Sequence, residues 1–312
     1  MKRRQPANIP HSIHQRLLNR AKEEGRPFQE LLQYHAIERF LFRLGCSPYA
    51  DKFLLKGALM LRVWDSPLAR PTLDVDLLGR MAASEEAVAG MIKTCFVQEA
   101  GDDGMRFDPD SMRTQAIRAA TGYPGIRVRF IAYLAKARVP MQIDVGFGDA
   151  VVPGPVQISL PTLLDLPSPQ LLAYPPESAV AEKFQTMVEL DMANSRMKDF
   201  HDVWTLGRNL GFEGVSLSKA IKATFDRRHT PVPFEVPTAL TTAFVENSTK
   251  QTQWKAFLRK GRLEAEGKSL EEVIIFLRKF LVPPTLAIAD GQRFTMRWPA
   301  GGPWRPARAR RR

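Results

Sequence analysis

Polar and apolar positions along the chain follow two different periods. Between Thr72 and Leu78 they alternate, which is the period of a β-strand with one buried face. Over 13–24, 27–44 and 83–99 apolar residues recur every three or four positions, which predicts helices. Further strands are predicted at 53–55 and twice within 126–150, a helix at 58–64, and a polar loop at 102–110.

The second half of the chain has the helical period throughout. Helices are predicted at 179–192, 198–209, 217–225, 237–245, 251–258 and 269–281. Strands mixed with helices, followed by helices alone, predict an α+β fold with a mixed β-sheet core flanked by helices and then a helical C-terminal domain. The predicted divisions are a helical lead-in at 1–50, the core at 51–175, the helical domain at 176–290 and a flexible basic tail at 291–312.

Charge changes this picture by suggesting a partner. The 312 residues carry a formal net charge of +12, which favours a polyanion such as nucleic acid. The arginine-rich tail is either an RNA-holding arm or a solvated end. Two cysteines form no disulfide framework or metal motif, and no secretion signal or membrane-spanning run is apparent, so a cytoplasmic protein without a membrane partner is expected.

The alternating strand places carboxylates side by side. Asp74 and Asp76 should share one face, and Asp144 lies on a strand of similar character. Three carboxylates on neighbouring strands would offer oxygen ligands to Mg²⁺, with Mn²⁺ as an alternative. Arg70 and Thr72 share the face of the aspartates. Either is a candidate phosphate contact, and Arg70 is equally a structural partner for Asp74.

A glycine turn precedes this strand. Gly57 follows the short strand ending near Lys56, and a turn of this kind gives backbone room and N–H groups to phosphates. A glycine turn alone is a weak signal. Its combination with the two aspartates favours a site for a nucleoside triphosphate (NTP). An exposed strand edge is the plain alternative for the acidic pair.

Three segments in order, "FLLKGALML…RPTLDVDL", "AEKFQTM" and "RMKDFHDVWTL", resemble the AbiEii/AbiGii toxin family, a group that includes the MenT toxins. The resemblance spans about 37–206 and implies a nucleotidyltransferase-like core. It makes Lys56, Gly57 and Ala58 nucleotide-binding, with Ala58 standing where many such enzymes have serine.

The resemblance also assigns residues to the chemistry. Asp74 and Asp76 would be catalytic metal ligands, and Lys183 would approach the phosphates or the acceptor. Asp199 would be a second catalytic or positioning carboxylate.

The implied function is that of a toxin from a bacterial toxin–antitoxin system. It would transfer a nucleoside monophosphate from an NTP to RNA, foremost the tRNA 3′ end, and so block aminoacylation. A cognate antitoxin encoded nearby is the expected partner. The alternatives are nucleotidylation of a protein, a catalytically lapsed module that binds nucleic acid or antitoxin, and a kinase-like phosphotransferase.

Overall fold

A computed structural model describes residues 8–64, 72–118, 124–264 and 268–307. The fold is α+β, as the sequence predicted, and it divides into two compact units. The first unit contains 1–63, 71–148 and 156–173, and the second contains 64–70, 149–155 and 174–312. The two helices of the predicted lead-in at 1–50 lie in the first unit.

The first unit is built around a seven-stranded mixed sheet. Its strands are β1 (Phe53–Lys56), β2 (Asp74–Gly79), β3 (Met105–Arg118), β4 (Pro124–Leu134), β5 (Ala137–Phe147), β6 (Val156–Ser159) and β7 (Gln170–Ala173). They lie in the order β3-β4-β5-β2-β1-β7-β6, so β2 is the central strand. Its helices are α1 (Ile9–Glu23), α2 (Phe28–Cys46), α3 (Met60–Val63) and α4 (Glu85–Phe96).

An aromatic cluster joins this sheet to its helices. Phe40 of α2 and Phe96 of α4 pack against Phe107 and Phe130 of the sheet, with ring centroids 4.7–6.4 Å apart. On β4 and β5, alternate residues such as Val128, Phe130 and Ile143 are buried. Because strand side chains alternate between faces, the residues between them form the opposite, polar face.

One prediction for this unit was wrong. The expected loop at 102–110 contains the start of β3, where Met105 and Phe107 are buried and pair with β4. Tertiary pairing with β4 therefore overrides the local polar composition. The segment 58–64, which was predicted as a helix, begins within a 3₁₀ turn, Gly57–Leu59, that continues into the four residues of α3.

The second unit is mainly helical. Its helices are α5 (Pro176–Leu190), α6 (Met197–Asn209), α7 (Gly214–Arg227), α8 (Thr242–Glu246), α9 (Ser248–Gly261) and α10 (Leu270–Ala289). A small antiparallel sheet, in the order β10-β9-β8, joins β8 (Phe212–Glu213), β9 (Met296–Trp298) and β10 (Arg305–Pro306). Among the described residues, no helix is both long enough and apolar enough to cross a membrane.

The predicted flexible tail is ordered over its described part. Trp298 is buried and its indole Nε1 donates to the Gly207 carbonyl at 2.7 Å. Trp304 Nε1 donates to the Phe280 carbonyl at 2.9 Å, and the Trp304 and Phe280 rings stack. These tryptophans anchor a segment whose arginine content had suggested flexibility. Residues 308–312 lie outside the described part of the chain.

Candidate nucleotide site

The central strand carries the acidic pair. Asp74 and Asp76 are half-buried and share one face of β2, whereas Val75 and Leu77 are buried on the other. Since β2 lies between β1 and β5, the alternative of an exposed strand edge does not apply. The two carboxylates therefore lie on the polar face in the middle of the sheet.

Four charged side chains cross this face in one row. Lys56 on β1 is in register with Asp76, Asp76 with Asp144 on β5, and Asp144 with Arg127 on β4. Residues in register on neighbouring strands project to the same side, with backbones about 4.8 Å apart. The charged row is therefore positive, negative, negative, positive. Its outer cations reduce the repulsion between the two carboxylates that they enclose.

Arg127 holds Asp144 by two hydrogen bonds. Its Nε and one terminal nitrogen each donate to a different carboxylate oxygen of Asp144, both at 2.7 Å. This hydrogen-bonded pairing raises the pKa of Arg127 against the opposing effect of burial, and the charges of Asp144, Asp74 and Asp76 add to the rise. Bidentate pairing of this kind fixes both position and orientation.

Asp144, the third carboxylate of the predicted metal site, is therefore already paired with a cation of the chain. Both oxygens of Asp144 accept from Arg127, and Gln142 Nε2 approaches one of them at 3.4 Å. Within the described ranges, no group of three or more His, Cys, Asp or Glu side chains is arranged to hold a metal ion. Asp74 and Asp76 remain the pair of oxygen donors suited to a hard cation that is also bound by phosphate.

Gly57 packs directly against Asp76. Its φ is +75°, in the left-handed region that glycine adopts most readily. A Cβ atom at this position would lie 2.7 Å from Asp76 Cγ and 2.8 Å from Asp76 Cβ, with Oδ2 nearer still. Only a residue without a side chain fits this turn beside the carboxylate.

The structure gives less information about the other residues predicted to bind the nucleotide. The Ala58 side chain is buried. The Thr72 hydroxyl donates to the backbone oxygen of Asp74 at 3.3 Å. Arg70 lies outside the described residues, so neither its phosphate role nor its pairing with Asp74 is tested.

Lys183 and Asp199 come together in the second unit. Lys183 Nζ lies 3.0 Å from Asp199 Oδ1 and 2.8 Å from Asp202 Oδ2, and Arg196 Nε lies 2.6 Å from Asp199 Oδ2. Burial alone would raise the pKa of Asp199, but Lys183 and Arg196 outweigh it and hold the pKa below its ordinary value. Both aspartate side chains are fully buried, which favours the positioning alternative for Asp199 over direct contact with substrate.

A second buried ion-pair network in this unit was not predicted from the sequence. The Arg228 guanidinium lies 3.0 Å from Asp149, 3.4 Å from Glu182 and 2.8 Å from the Gln185 oxygen. The Tyr174 hydroxyl donates to Glu182 at 2.9 Å. Glu182 and Gln185 lie in the segment "AEKFQTM", whereas Asp149, Tyr174 and Arg228 come from separate segments that no short motif marks.

Comparisons with known proteins identify the class. A family model that matches residues 39–274 makes the chain a nucleotidyltransferase toxin of a toxin–antitoxin system, with an NTP as substrate and an antitoxin as partner. The chain belongs to the AbiEii family, described as the nucleotidyl transferase AbiEii toxin of type IV toxin–antitoxin systems. This confirms the family and enzyme class predicted from the sequence.

Two solved structures are similar to this chain. The crystal structure of JHP933 from Helicobacter pylori is 12% identical, with a TM-score of 0.46, covering 84% of this chain and 90% of that chain. A putative nucleotidyltransferase from H. pylori is 13% identical, with a TM-score of 0.44 and coverage of 84% and 93%. A search of curated proteins finds no match.

Proposed function

We propose that this toxin is a Mg²⁺-dependent enzyme that transfers a nucleoside monophosphate to the 3′ end of RNA, with tRNA as the foremost acceptor. The observation that carries the proposal is the contact between Gly57 and Asp76, on the face that also bears Asp74. Because Gly57 has no side chain, the backbone of the turn comes into contact with the Asp76 carboxylate, on the face that Asp74 shares. The net charge of +12 supports a nucleic-acid acceptor.

Different residues of the chain would have different roles in this reaction. Asp74 and Asp76 would hold the cation that accompanies the NTP, and the turn at Gly57 would admit the phosphates. When bound, Mg²⁺ would neutralise triphosphate charge and make the α-phosphorus more electrophilic. The acceptor hydroxyl oxygen would bond to that phosphorus as pyrophosphate leaves. Its proton would pass to Asp144 or to water.

The Arg127–Asp144 pair would position this reaction rather than bind the cation. Asp144 is in register with Asp76, and its carboxylate is fixed by Arg127. A fixed carboxylate beside the metal-binding pair can orient an acceptor hydroxyl at little entropic cost. Blocking aminoacylation in this way would arrest translation in the cytoplasm until the antitoxin acts.

Label transfer tests the proposal. Purified protein is incubated with Mg²⁺, total tRNA and each of the four NTPs, labelled in parallel at the α- or γ-phosphate. We expect α-label on RNA, with Mn²⁺ substituting for Mg²⁺. The Asp76→Asn variant should lose at least ~10²-fold of this activity, because it loses the charge that holds the cation. Asp110→Asn, at an exposed position of the same sheet, is the matched control.

The location of the label separates the alternatives. Label on protein rather than RNA would replace this proposal with protein nucleotidylation. Transfer of γ-label would indicate a kinase-like enzyme. RNA binding without transfer of either label would indicate a lapsed binding module.

A further inference from the structure

The polar face of the sheet continues from the charged row into an area rich in arginine. Arg113 on β3 is in register with Arg129 on β4, and Tyr133 on β4 is in register with Arg106 on one side and Arg138 on the other. All four arginines are exposed and Tyr133 is half-buried. We call these five residues the basic face.

The basic face begins beside the carboxylates. Arg129 is in register with Gln142, which is in turn in register with Asp74 on β2. Arg127, Arg129 and Tyr133 are separated by even numbers of residues on β4, so they project to one side. At about 3.4 Å per residue, the distance along β4 from Arg127 to Tyr133 is about 20 Å, the length of several nucleotides.

The chemistry of the basic face suits a nucleic-acid strand with unpaired bases. Guanidinium groups bind phosphate oxygens through two parallel hydrogen bonds. Arg129 is oriented by its Nε, which donates to Gln142 Oε1 at 3.0 Å. The Arg106 guanidinium lies 4.3 Å from the centroid of the Tyr133 ring. An aromatic ring among arginines is a platform on which a base can stack, and stacking requires a base that is not paired in a duplex.

We propose that the basic face binds the single-stranded RNA segment that leads to the acceptor end, with phosphates on Arg113 and Arg129 and a base on Tyr133. This inference rests on the proposed function, because it identifies the surface along which the acceptor would reach the carboxylates. The strand would run along β4 from Tyr133 toward Arg127. Its terminal hydroxyl would then reach the charged row.

Binding of a fluorescein-labelled 12-nucleotide single-stranded RNA, followed by fluorescence anisotropy across a salt series, tests the phosphate contacts. The variant is Arg113→Gln with Arg129→Gln. The matched control, Lys22→Gln with Lys93→Gln, removes the same charge from exposed positions on α1 and α4. Each phosphate contact to a single strand contributes a salt slope of about 0.7, which corresponds to about fivefold in affinity at 0.1 M salt.

We therefore expect the arginine variant to bind about 25-fold more weakly at 0.1 M salt, with a salt slope smaller by about 1.4. The lysine control should change both quantities little. Equal weakening in the two variants would overturn the proposal, since it would show a response to net charge alone.

A second pair of variants tests the base-stacking platform. Tyr133→Phe keeps the ring and should bind the RNA as the unaltered protein does. Tyr133→Leu keeps an apolar side chain without a ring and should bind at least about fivefold more weakly. If Tyr133→Leu binds normally and polyglutamate competes as well as RNA, the basic face is a surface for an acidic protein and the proposal fails.

The binding and transfer assays separate this inference from the proposed function. Label transfer that depends on Asp76, together with RNA binding insensitive to the arginine variant, would remove the basic face and leave the enzyme. Weaker RNA binding by the arginine variant, with no label transfer by the unaltered protein, would retain the basic face as a binding surface and remove the proposed reaction.

Discussion

The contact between Gly57 and Asp76 makes a Gly57→Ala substitution the most direct test of the candidate site. The new methyl group should lower the stability of the protein in two ways. A left-handed backbone costs a residue with a Cβ about 1–2 kcal/mol, and the methyl carbon would lie within 2.8 Å of the Asp76 side chain. Relieving that contact requires movement of the carboxylate or the turn.

Gly25→Ala isolates the first of these effects. Gly25 has a φ of +62°, and a Cβ there would meet nothing within 4 Å. We expect Gly25→Ala to lose about 1–2 kcal/mol of unfolding free energy with full label transfer. Gly57→Ala should lose more stability, and also ~10²-fold or more in transfer rate, because an approximately 1 Å displacement of a catalytic group has an effect of that size.

The assays are urea unfolding, for the free energy, and initial rates of α-label transfer at saturating NTP. In an Asp76→Ala background, the two Asp76 atoms nearest to the new methyl group, Oδ2 and Cγ, are absent. Gly57→Ala should therefore cost less stability there than in the unaltered protein. If Gly57→Ala retains the transfer rate of Gly25→Ala, the carboxylate beside this turn is not part of the reaction, and the proposed site is wrong.

Three further results are expected from the second unit. Lys183→Met leaves Asp199 and Asp202 buried without their shared cation, so urea unfolding at pH 7 should show a loss of about 3–5 kcal/mol. The pKa of Asp199 is held below its ordinary value by its cationic partners. The stability that this lowered pKa contributes is complete above the unfolded-state pKa and is lost as the pH falls through the folded-state pKa. The urea midpoint should therefore fall across that pH range, and it should fall less in the Asp199→Asn variant. Trp298→Ala should cost about 3–5 kcal/mol because it empties a buried aromatic site; a change below 1 kcal/mol would mean that the C-terminal segment is not anchored.

The site could be predicted from the sequence where the signal was local. Alternation around Asp74 and Asp76 fixed their common face, and a lone glycine after a strand marked the turn. The C-terminal segment was misjudged for the opposite reason. Its arginines and prolines dominate the composition, whereas its order depends on two tryptophans whose packing partners lie far away in the sequence.

The Arg127–Asp144 pair was also within reach of the sequence. The hairpin between β4 and β5 turns at Ala135 and Lys136, with Leu134 paired to Ala137. A two-residue turn fixes the register of both strands, and counting back from it brings Arg127 opposite Asp144. The pair was missed because Asp144 was interpreted as a metal ligand, without the register that brings Arg127 opposite it. The Arg228 network could not be found in this way, since Arg228 and its partners Asp149 and Glu182 come from three separate segments.

Strand order explains how one sheet face can bind both a cation and a polyanion. The carboxylates lie on β2 and β5, whereas the arginines of the basic face lie mainly on β3 and β4, farther toward one edge. Arg127 lies at the boundary between the carboxylates and the basic face, where it forms an ion pair with Asp144. Phosphates approaching the face would therefore meet exposed arginines, with Asp108 of β3 among them, on the outer strands and the carboxylate pair in the centre. A polyanion can come close to Asp74 and Asp76 only where a cation accompanies it, because like charges repel. A metal-bound triphosphate would therefore be favoured at the centre of the sheet, and the acceptor backbone at its edge.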